Sequence, residues 1–364
     1  MKLSFPFTFL LSVFLIMGCG NKSPRESSSG STEEVKPADT ETVDILHNIA
    51  ERQLDVKVGG ESFTSYCYWE KLTKPVLYPL RTADGRVVTR GFPVDPVPGE
   101  RADHPHQLSS WFTYGNVNGI DFWDNSFMYK PRKNLGRVVH RSVDAVSSGK
   151  KTAYIDVTMD WVDSEGKKVL EEKDRIYFRA GPGLRIVDRV IKLAALGEKV
   201  VFNDTKEGAF GIRVTRVLEE ATNQGGRFCG ANGQVVELDT PDNTGVSGEY
   251  LSSEGLVGEK EVWGTRAKWC ILRGTVEGKP ATIGIFDHPD NPGYPTYWHA
   301  RGYGLFSANP FGWKDFTRGE KVFNFTLAPG ESTVFRYRIM VSSSRLEREE
   351  TEGLYQAWLA EIGG

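Results

Sequence analysis

The sequence predicts an all-β protein: a large antiparallel β-sandwich with a short C-terminal helix. Three observations carry this. From Leu54 onward, short runs of alternating apolar residues are separated by turns rich in Gly, Pro and Asp. Few helical patterns fall between those runs, which excludes a βαβ architecture. The 9 Trp, 13 Tyr and 20 Phe supply a substantial apolar core. Taken in order, residues 43–50 read as a short helix, and 86–90 and 137–146 as strands. Ile155, Val157, Met159 and Trp161 alternate with Asp156, Thr158 and Asp160, the period of a half-buried strand. Asp163-Ser164-Glu165-Gly166 turns the chain, and Gly181-Pro182-Gly183 joins the runs 176–178 and 184–188 as a hairpin. Further strands are expected at 199–204, 209–218, 261–272, 281–287, 321–327 and 333–341. Leu354, Tyr355, Trp358, Leu359 and Ile362 form the apolar stripe of the last helix. No low-complexity linker divides residues 41–364, so they read as a single β-sandwich domain.

Composition excludes several classes. The 364 residues carry Lys+Arg 45 against Asp+Glu 48, a net charge of −3 with no electrostatic footprint for nucleic acid. Only residues 3–17 approach a membrane-spanning length, so a polytopic membrane protein is excluded.

The amino terminus reads as an address. Lys2 precedes an apolar run from Leu3 to Met17 that ends at Gly18-Cys19, the pattern of a lipoprotein signal peptide over residues 1–18. Cys19 then takes a diacylglycerol on its sulfur, and residues 19–40, poor in aromatics, form a flexible tether. Acyl chains contribute about 0.8 kcal/mol per buried methylene, enough in pairs to hold a protein at a membrane. The expectation is a protein of the cell envelope whose membrane contact is the anchor alone. Gly20-Asn21-Lys22 has no acidic cluster, which favours a periplasm-facing position. With Cys19 lipidated, Cys67, Cys229 and Cys270 remain: one disulfide at most, and no disulfide scaffold.

Three segments gather polar groups. In Asp103-His104-Pro105-His106-Gln107, extended backbone would put both imidazoles on one face, where they can hold a divalent metal or transfer protons. The long Pro-rich stretch from Phe286 to Gly304 carries His288 and His299, with His299 and Arg301 sharing a face if extended. In it, Trp298 and Tyr303 offer flat surfaces of the kind that stack on sugars, as does Trp123 after the first segment. In Thr205-Lys206-Glu207-Gly208-Ala209-Phe210-Gly211-Ile212-Arg213, Glu207 and Arg213 fall on one face with small residues between them, leaving room for a ligand. No GxGxxG, P-loop, HExxH or Gly-x-Ser-x-Gly pattern occurs, which removes the main support for nucleotide and serine-hydrolase readings.

Several of these stretches together resemble a bacterial family of unknown function commonly labelled "methane oxygenase PmoA". They are Tyr78-Pro79-Leu80, Asp103-His104-Pro105-His106, Val117-Asn118-Gly119-Ile120-Asp121-Phe122-Trp123, Lys206-Glu207-Gly208, Phe286-Asp287-His288-Pro289, Trp298 through Gly304, and Asn309-Pro310-Phe311-Gly312. The label names an integral membrane enzyme, whereas this chain has no spanning segment after its signal. Gln107-Leu108-Ser109 stands where the family reads His-Arg-Gly, so a third neighbouring histidine is missing here. The resemblance implies an envelope β-sandwich connected with carbohydrate chemistry, and it raises Glu207, His104, His106, His288, His299 and Arg301 as site residues.

The expected function is a carbohydrate-processing enzyme of epimerase, lyase or hydrolase type, by analogy with mutarotase-like super-sandwiches. Glu207 is the expected base and His299 or His104 the acid. Arg213, Arg301, Trp298, Tyr303, Trp123 and Asn309 are expected to bind a small-molecule or oligosaccharide ligand. Two alternatives stand beside it: a metal-dependent hydrolase or oxygenase with His104, His106 and a third ligand such as His288, His299 or Asp287 around a divalent ion, and a non-catalytic glycan-binding lipoprotein.

Overall fold

The computed structural model describes residues 41–362, all within one unit of the chain. The signal segment 1–18, Cys19 and the 20–40 tether lie outside the described residues. Alternation of inward apolar and outward polar side chains builds two large antiparallel sheets. One has nine strands in the order Tyr297–Trp298, Leu305–Asn309, Gly208–Arg213, Ser110–Tyr114, Val76–Leu77, Glu61–Cys67, Gln53–Val58, Thr42–Asn48 and Gly149–Lys150. The other has eight, in the order Glu249–Ser252, Trp269–Val276, Lys279–Asp287, Ser332–Ser342, Leu184–Ala195, Lys168–Gly181, Thr152–Val162 and Arg137–Ser147. The molecule is a β-sandwich, with a C-terminal helix over Arg348–Ile362.

The sheets face each other across a shared apolar core. Aromatic rings cross the gap: Phe210 stacks on Tyr337 at 4.8 Å, and Phe112 meets Phe335 at 5.7 Å and Trp161 at 6.2 Å. Tyr355 and Trp358 of the helix pack with Trp269, Ile271, Phe286 and Met340 in a second cluster on the other side of the eight-stranded sheet. A third cluster, containing Leu108, Trp111, Trp123 and Leu305, covers the outer face of the nine-stranded sheet; Trp111 and Leu305 alternate there with the inward Phe112 and Phe306.

Some expected boundaries move. The stretch read as a helix at 43–50 is the strand Thr42–Asn48, paired with Gln53–Val58 from Val43↔Val58 onward. A neighbouring strand to pair with outweighs the local propensity of a short apolar segment. The 86–90 run makes only isolated bridges, Arg81↔Val87 and Thr89↔Val214. The 209–218 strand stops at Arg213 before a 3-10 turn at Arg216–Leu218. The 261–272 strand begins only at Trp269, after a short helix at Glu259–Val262. Cys67, Cys229 and Cys270 are free and buried. Among the described residues, no helix is long and apolar enough to cross a membrane.

The stacked Phe210–Tyr337 pair ties the two sheets together from fully buried positions. Phe210→Ala should cost about 3–5 kcal/mol, because the rigid sheets around it cannot close the cavity. Urea unfolding monitored by tryptophan fluorescence reads this, and a loss below about 1 kcal/mol would show that the ring is not an inter-sheet anchor.

Candidate active site

The four strands at one edge of the nine-stranded sheet deliver the chemistry-bearing segments. Arg90, fully buried, organises the first. Its guanidinium donates to the carbonyls of Arg101 (3.1 Å), Asp103 (3.0 Å), His104 (2.9 Å) and Gln107 (2.8 Å). The segment 101–107 is therefore wrapped around one cation. It turns rather than extends: Gln107 N–H donates to His104 O at 2.9 Å, and His104 has φ +40°. His104 and His106 still come together, their rings 5.7 Å apart and nearly perpendicular, but through this turn and not on one strand face.

Arg213 supports the same segment from below. It is fully buried, donating to Asp103 Oδ1 at 2.7 Å and Gln107 Oε1 at 2.5 Å, and it lies 4.5 Å under the Tyr303 ring. Asp103 Oδ1 also accepts from Arg90 at 2.8 Å. Burial alone would raise the Asp103 carboxyl, but Arg213, the His104 bond and Arg90 outweigh it and hold it well below the usual carboxylate range.

The resulting cleft has a volume of about 470 Å³ and is lined by His104, His106, Gln107, Asp121, Asp124, Lys206, Glu207, His299, Arg301 and Tyr303. Lys206 and Glu207 enter on the approach to strand Gly208–Arg213, and their side chains bond to each other. His299, Arg301 and Tyr303 come from the hairpin between Tyr297–Trp298 and Leu305–Asn309. It is closed by Arg301 N–H to Leu305 O at 2.7 Å and turned at Gly304, φ +85°, where a Cβ would also strike Val214. Tyr303 stacks parallel to His104 at 5.2 Å, and Arg301 lies 3.1 Å from Glu259.

Two imidazoles in this cleft are neutral, and one of them has a defined tautomer. His299 Nδ1 lies 3.0 Å from the Lys206 carbonyl oxygen, which can only accept, so Nδ1 carries the proton and Nε2 is an acceptor. Burial pushes the His299 pKa down to about 4, against the pull of Glu207 and with help from Lys206. His106 Nδ1 lies 3.0 Å from Asp124 Oδ1, and burial, followed by the charges of Lys74 and His104, keeps it well below the ordinary histidine value. It too is neutral, and its Nδ1 hydrogen-bonds the Tyr129 hydroxyl at 3.3 Å, a group that can donate or accept. Asp124 is fixed in turn: its N–H, like that of Trp123, donates to Asp121 Oδ1 at 2.9 Å.

Of the residues expected from sequence, His104, His106, Glu207, His299, Arg301 and Tyr303 are brought together here. Four others are corrected. Arg213 is no ligand clamp, because its guanidinium is spent on Asp103, Gln107 and Tyr303 out of solvent. The room expected beside it is filled, since a Cβ on Gly211 would lie 2.9 Å from Trp111 and 3.0 Å from Trp123. Trp123 and Trp298 are fully buried, Trp123 tilted on Trp111 at 5.1 Å and Trp298 donating from Nε1 to Ala267 O at 3.0 Å. Asn309 is buried too, its amide bonded to Thr205 O and its oxygen accepting from Phe311 and Gly312. The fifth correction concerns the metal set. His288 follows strand Lys279–Asp287 of the other sheet, edge-on to Trp358 at 5.4 Å, and does not line the cleft with His104 and His106. Among the described residues, no group of three or more His, Cys, Asp or Glu side chains is arranged to hold a metal ion.

Sequence reasoning missed Asp121, Asp124 and Lys206 as site residues. Asp121 and Lys206 lay inside segments singled out for other reasons, and Asp124 directly follows one of them; nothing local marks an aspartate as the partner of a histidine eighteen residues earlier.

A family model matches residues 53–356. The chain belongs to the family of unknown function DUF6807. No curated protein matches the sequence. Among solved structures, the chain is similar to the GH36 α-galactosidase AgaB from Geobacillus stearothermophilus, with 13% identity and a TM-score of 0.40 over 83% of this chain and 41% of that one. It is similar to the α-galactosidase from Lactobacillus brevis at 8% identity and TM-score 0.38, covering 83% and 40% of the two chains. A putative aldose 1-epimerase from Escherichia coli K12 matches at 11% identity and TM-score 0.35, covering 83% and 99%. This chain thus spans about two fifths of the galactosidases it matches.

The Asp103 carboxylate stands between two buried guanidiniums. Asp103→Asn should cost about 3–5 kcal/mol and increase hydrogen exchange across residues 101–107, because it leaves Arg90 and Arg213 facing each other uncompensated. Unchanged stability and exchange would show that the carbonyls alone hold the segment.

Proposed function

We propose that this cleft is the active site of a carbohydrate-processing enzyme working by proton transfer, of epimerase, lyase or hydrolase type. The observation that carries the reading is the locked tautomer of His299. A neutral imidazole with Nδ1 tied to a backbone carbonyl has one free function, acceptance of a proton at Nε2. It stands in the wall of a polar cleft of a volume suited to one or two sugar rings. This inverts the expected role, since a histidine with its pKa pushed down to about 4 is a base and not an acid at neutral pH. His106, within 3.0 Å of Asp124, is a second neutral imidazole in the same wall. Burial and the nearby Asp103 and Glu207 charges raise Tyr303 above its ordinary value despite Arg213, so its phenol keeps its proton and donates to a substrate oxygen. Lys206, held by Glu207, gives a proton from its ammonium to the substrate as His299 takes one, and exchange with solvent restores both groups. Arg301 binds hydroxyl or carbonyl oxygens at the mouth.

The sign of the pH dependence follows. His299 must be neutral to act, so kcat/KM on an identified sugar substrate should be flat above about pH 5 and fall about tenfold per unit below about pH 4. Replacing His299 by Gln should remove that limb together with at least about 100-fold of kcat. Glu207→Gln should lower kcat by a similar factor with little change in Kd. A profile unaltered by loss of the imidazole would exclude His299 as the base.

The same proposal holds the chain in the cell envelope as a periplasm-facing lipoprotein, supported by Lys2, the apolar run 3–17 and Gly18-Cys19. Radiolabelled palmitate should be incorporated by the wild-type chain and not by Cys19→Ser. Equal labelling of both would remove the anchor.

A further inference from the structure

A second, larger cleft lies away from the proposed active site. It has a volume of about 540 Å³ and opens between the end of strand Thr42–Asn48, the segment 68–75 and strand Arg137–Ser147 at the edge of the eight-stranded sheet. That edge strand carries two bulges against Thr152–Val162, at His140/Ser142 and at Val143/Ala145. A bulge re-aims the side chains around it. Here His140 packs in parallel on Tyr68, ring centroids 4.0 Å apart, and its Nδ1 meets the Tyr66 hydroxyl at 3.2 Å. The Tyr68 hydroxyl in turn meets His47 Nε2 at 2.8 Å. Half-buried Tyr68 thus offers an aromatic wall held by His140 and by the bond of its hydroxyl to His47, and half-buried Trp69 lines the same cleft.

The charge of this cleft is lopsided. Besides His47 and His140, its ionisable lining has Arg52, Lys74, Arg137 and Arg141 against Glu70 alone. Two of these cations are committed elsewhere: Lys74 is buried and donates to the carbonyls of Trp123 (2.7 Å) and Asn125 (3.3 Å), and Arg141 bonds Asp160 and Glu171. Two are available. Arg52 meets only the exposed Glu70, at 3.6 Å, and the exposed Arg137 guanidinium meets no carboxylate among the described residues. An aromatic wall beside an unpaired guanidinium is the complement of a ring with an apolar face and one planar anionic substituent.

We propose that this cleft is a binding site for an acidic sugar, the ring lying on Tyr68 and the carboxylate taken by Arg137 with Arg52. It is separate from the proposed active site and does not depend on the reading of His299. It gives the protein a means of holding an acidic glycan while the other cleft is occupied or empty.

Calorimetric titration of the purified chain with trigalacturonate and with the neutral trisaccharide galactotriose tests this. The acidic trisaccharide should bind at least tenfold tighter than the neutral one, and raising NaCl from about 50 to about 500 mM should weaken it several-fold. Arg137→Ala, at an exposed and unpaired side chain, should fold normally and reduce affinity at least tenfold. Tyr68→Phe, which keeps the ring and loses only the bond to His47, should bind nearly as well as the wild type, whereas Tyr68→Ala should not. His299→Ala should leave this binding unchanged. Absence of trigalacturonate binding, equal affinity for the neutral trisaccharide, or loss with His299→Ala and not with Arg137→Ala would each overturn the proposal. None of these outcomes bears on turnover, so the active-site reading stands or falls separately.

Discussion

The arrangement on which the cleft depends is one carboxylate between two buried guanidiniums. Asp103 accepts from Arg90 and Arg213 with the same oxygen, while Nη1 and Nη2 of Arg90 also donate to the carbonyls of its own loop. Neither cation could be buried alone, because desolvation is repaid only where geometry and hydrogen bonds are nearly complete. Completing them requires segment 101–107 to curl inward, and that curl sets His104 and His106 at the cleft. The sandwich beneath provides a rigid floor, and the charged knot decides what stands on it.

The knot also limits what each site residue can do. Because Arg213 is consumed below Tyr303, the phenol sits on a cation and faces His104 with its ring. Because Gln107 receives an Arg213 bond, an amide occupies the position next to the histidine pair and is held there. His299 and His106 are both neutral, the first donating to a backbone carbonyl and the second bonded to the Tyr129 hydroxyl beside Asp124. Burial does the rest by disfavouring the imidazolium. The two imidazoles and the protonated phenol are the groups on which the proposed proton transfer rests. The cleft's hydrogen-bonding groups also suit a hydroxylated substrate.

Below this, the two sheets illustrate how packing fixes register. Phe112 and Phe210 point into the core while Trp111 and the bare Gly211 face outward, so a one-residue slip of either strand would exchange a core ring for a tryptophan or a void. Gly211 is bare because Trp111 and Trp123 need its space. What looked along the chain like an opening for a ligand is the seat of two indole rings.

The sequence by itself determined the fold class, since period-two alternation and turn chemistry are local properties, and most of the cleft, since His104, His106, Glu207, His299, Arg301 and Tyr303 carry distinctive side chains in distinctive settings. Local reasoning failed at residues 43–50, whose strand state comes from pairing with Gln53–Val58. It failed again at Arg213, Trp123, Trp298 and Asn309, where side-chain type suggested a ligand and burial assigned a supporting position. Only the tertiary structure decided which polar groups are spent and which are free. That depends on partners far along the chain: Asp103 for Arg213, Asp124 for His106, the Lys206 carbonyl for His299. A hydrogen bond across such separations leaves no periodicity to read, and the protonation state of an imidazole follows from what surrounds it in space.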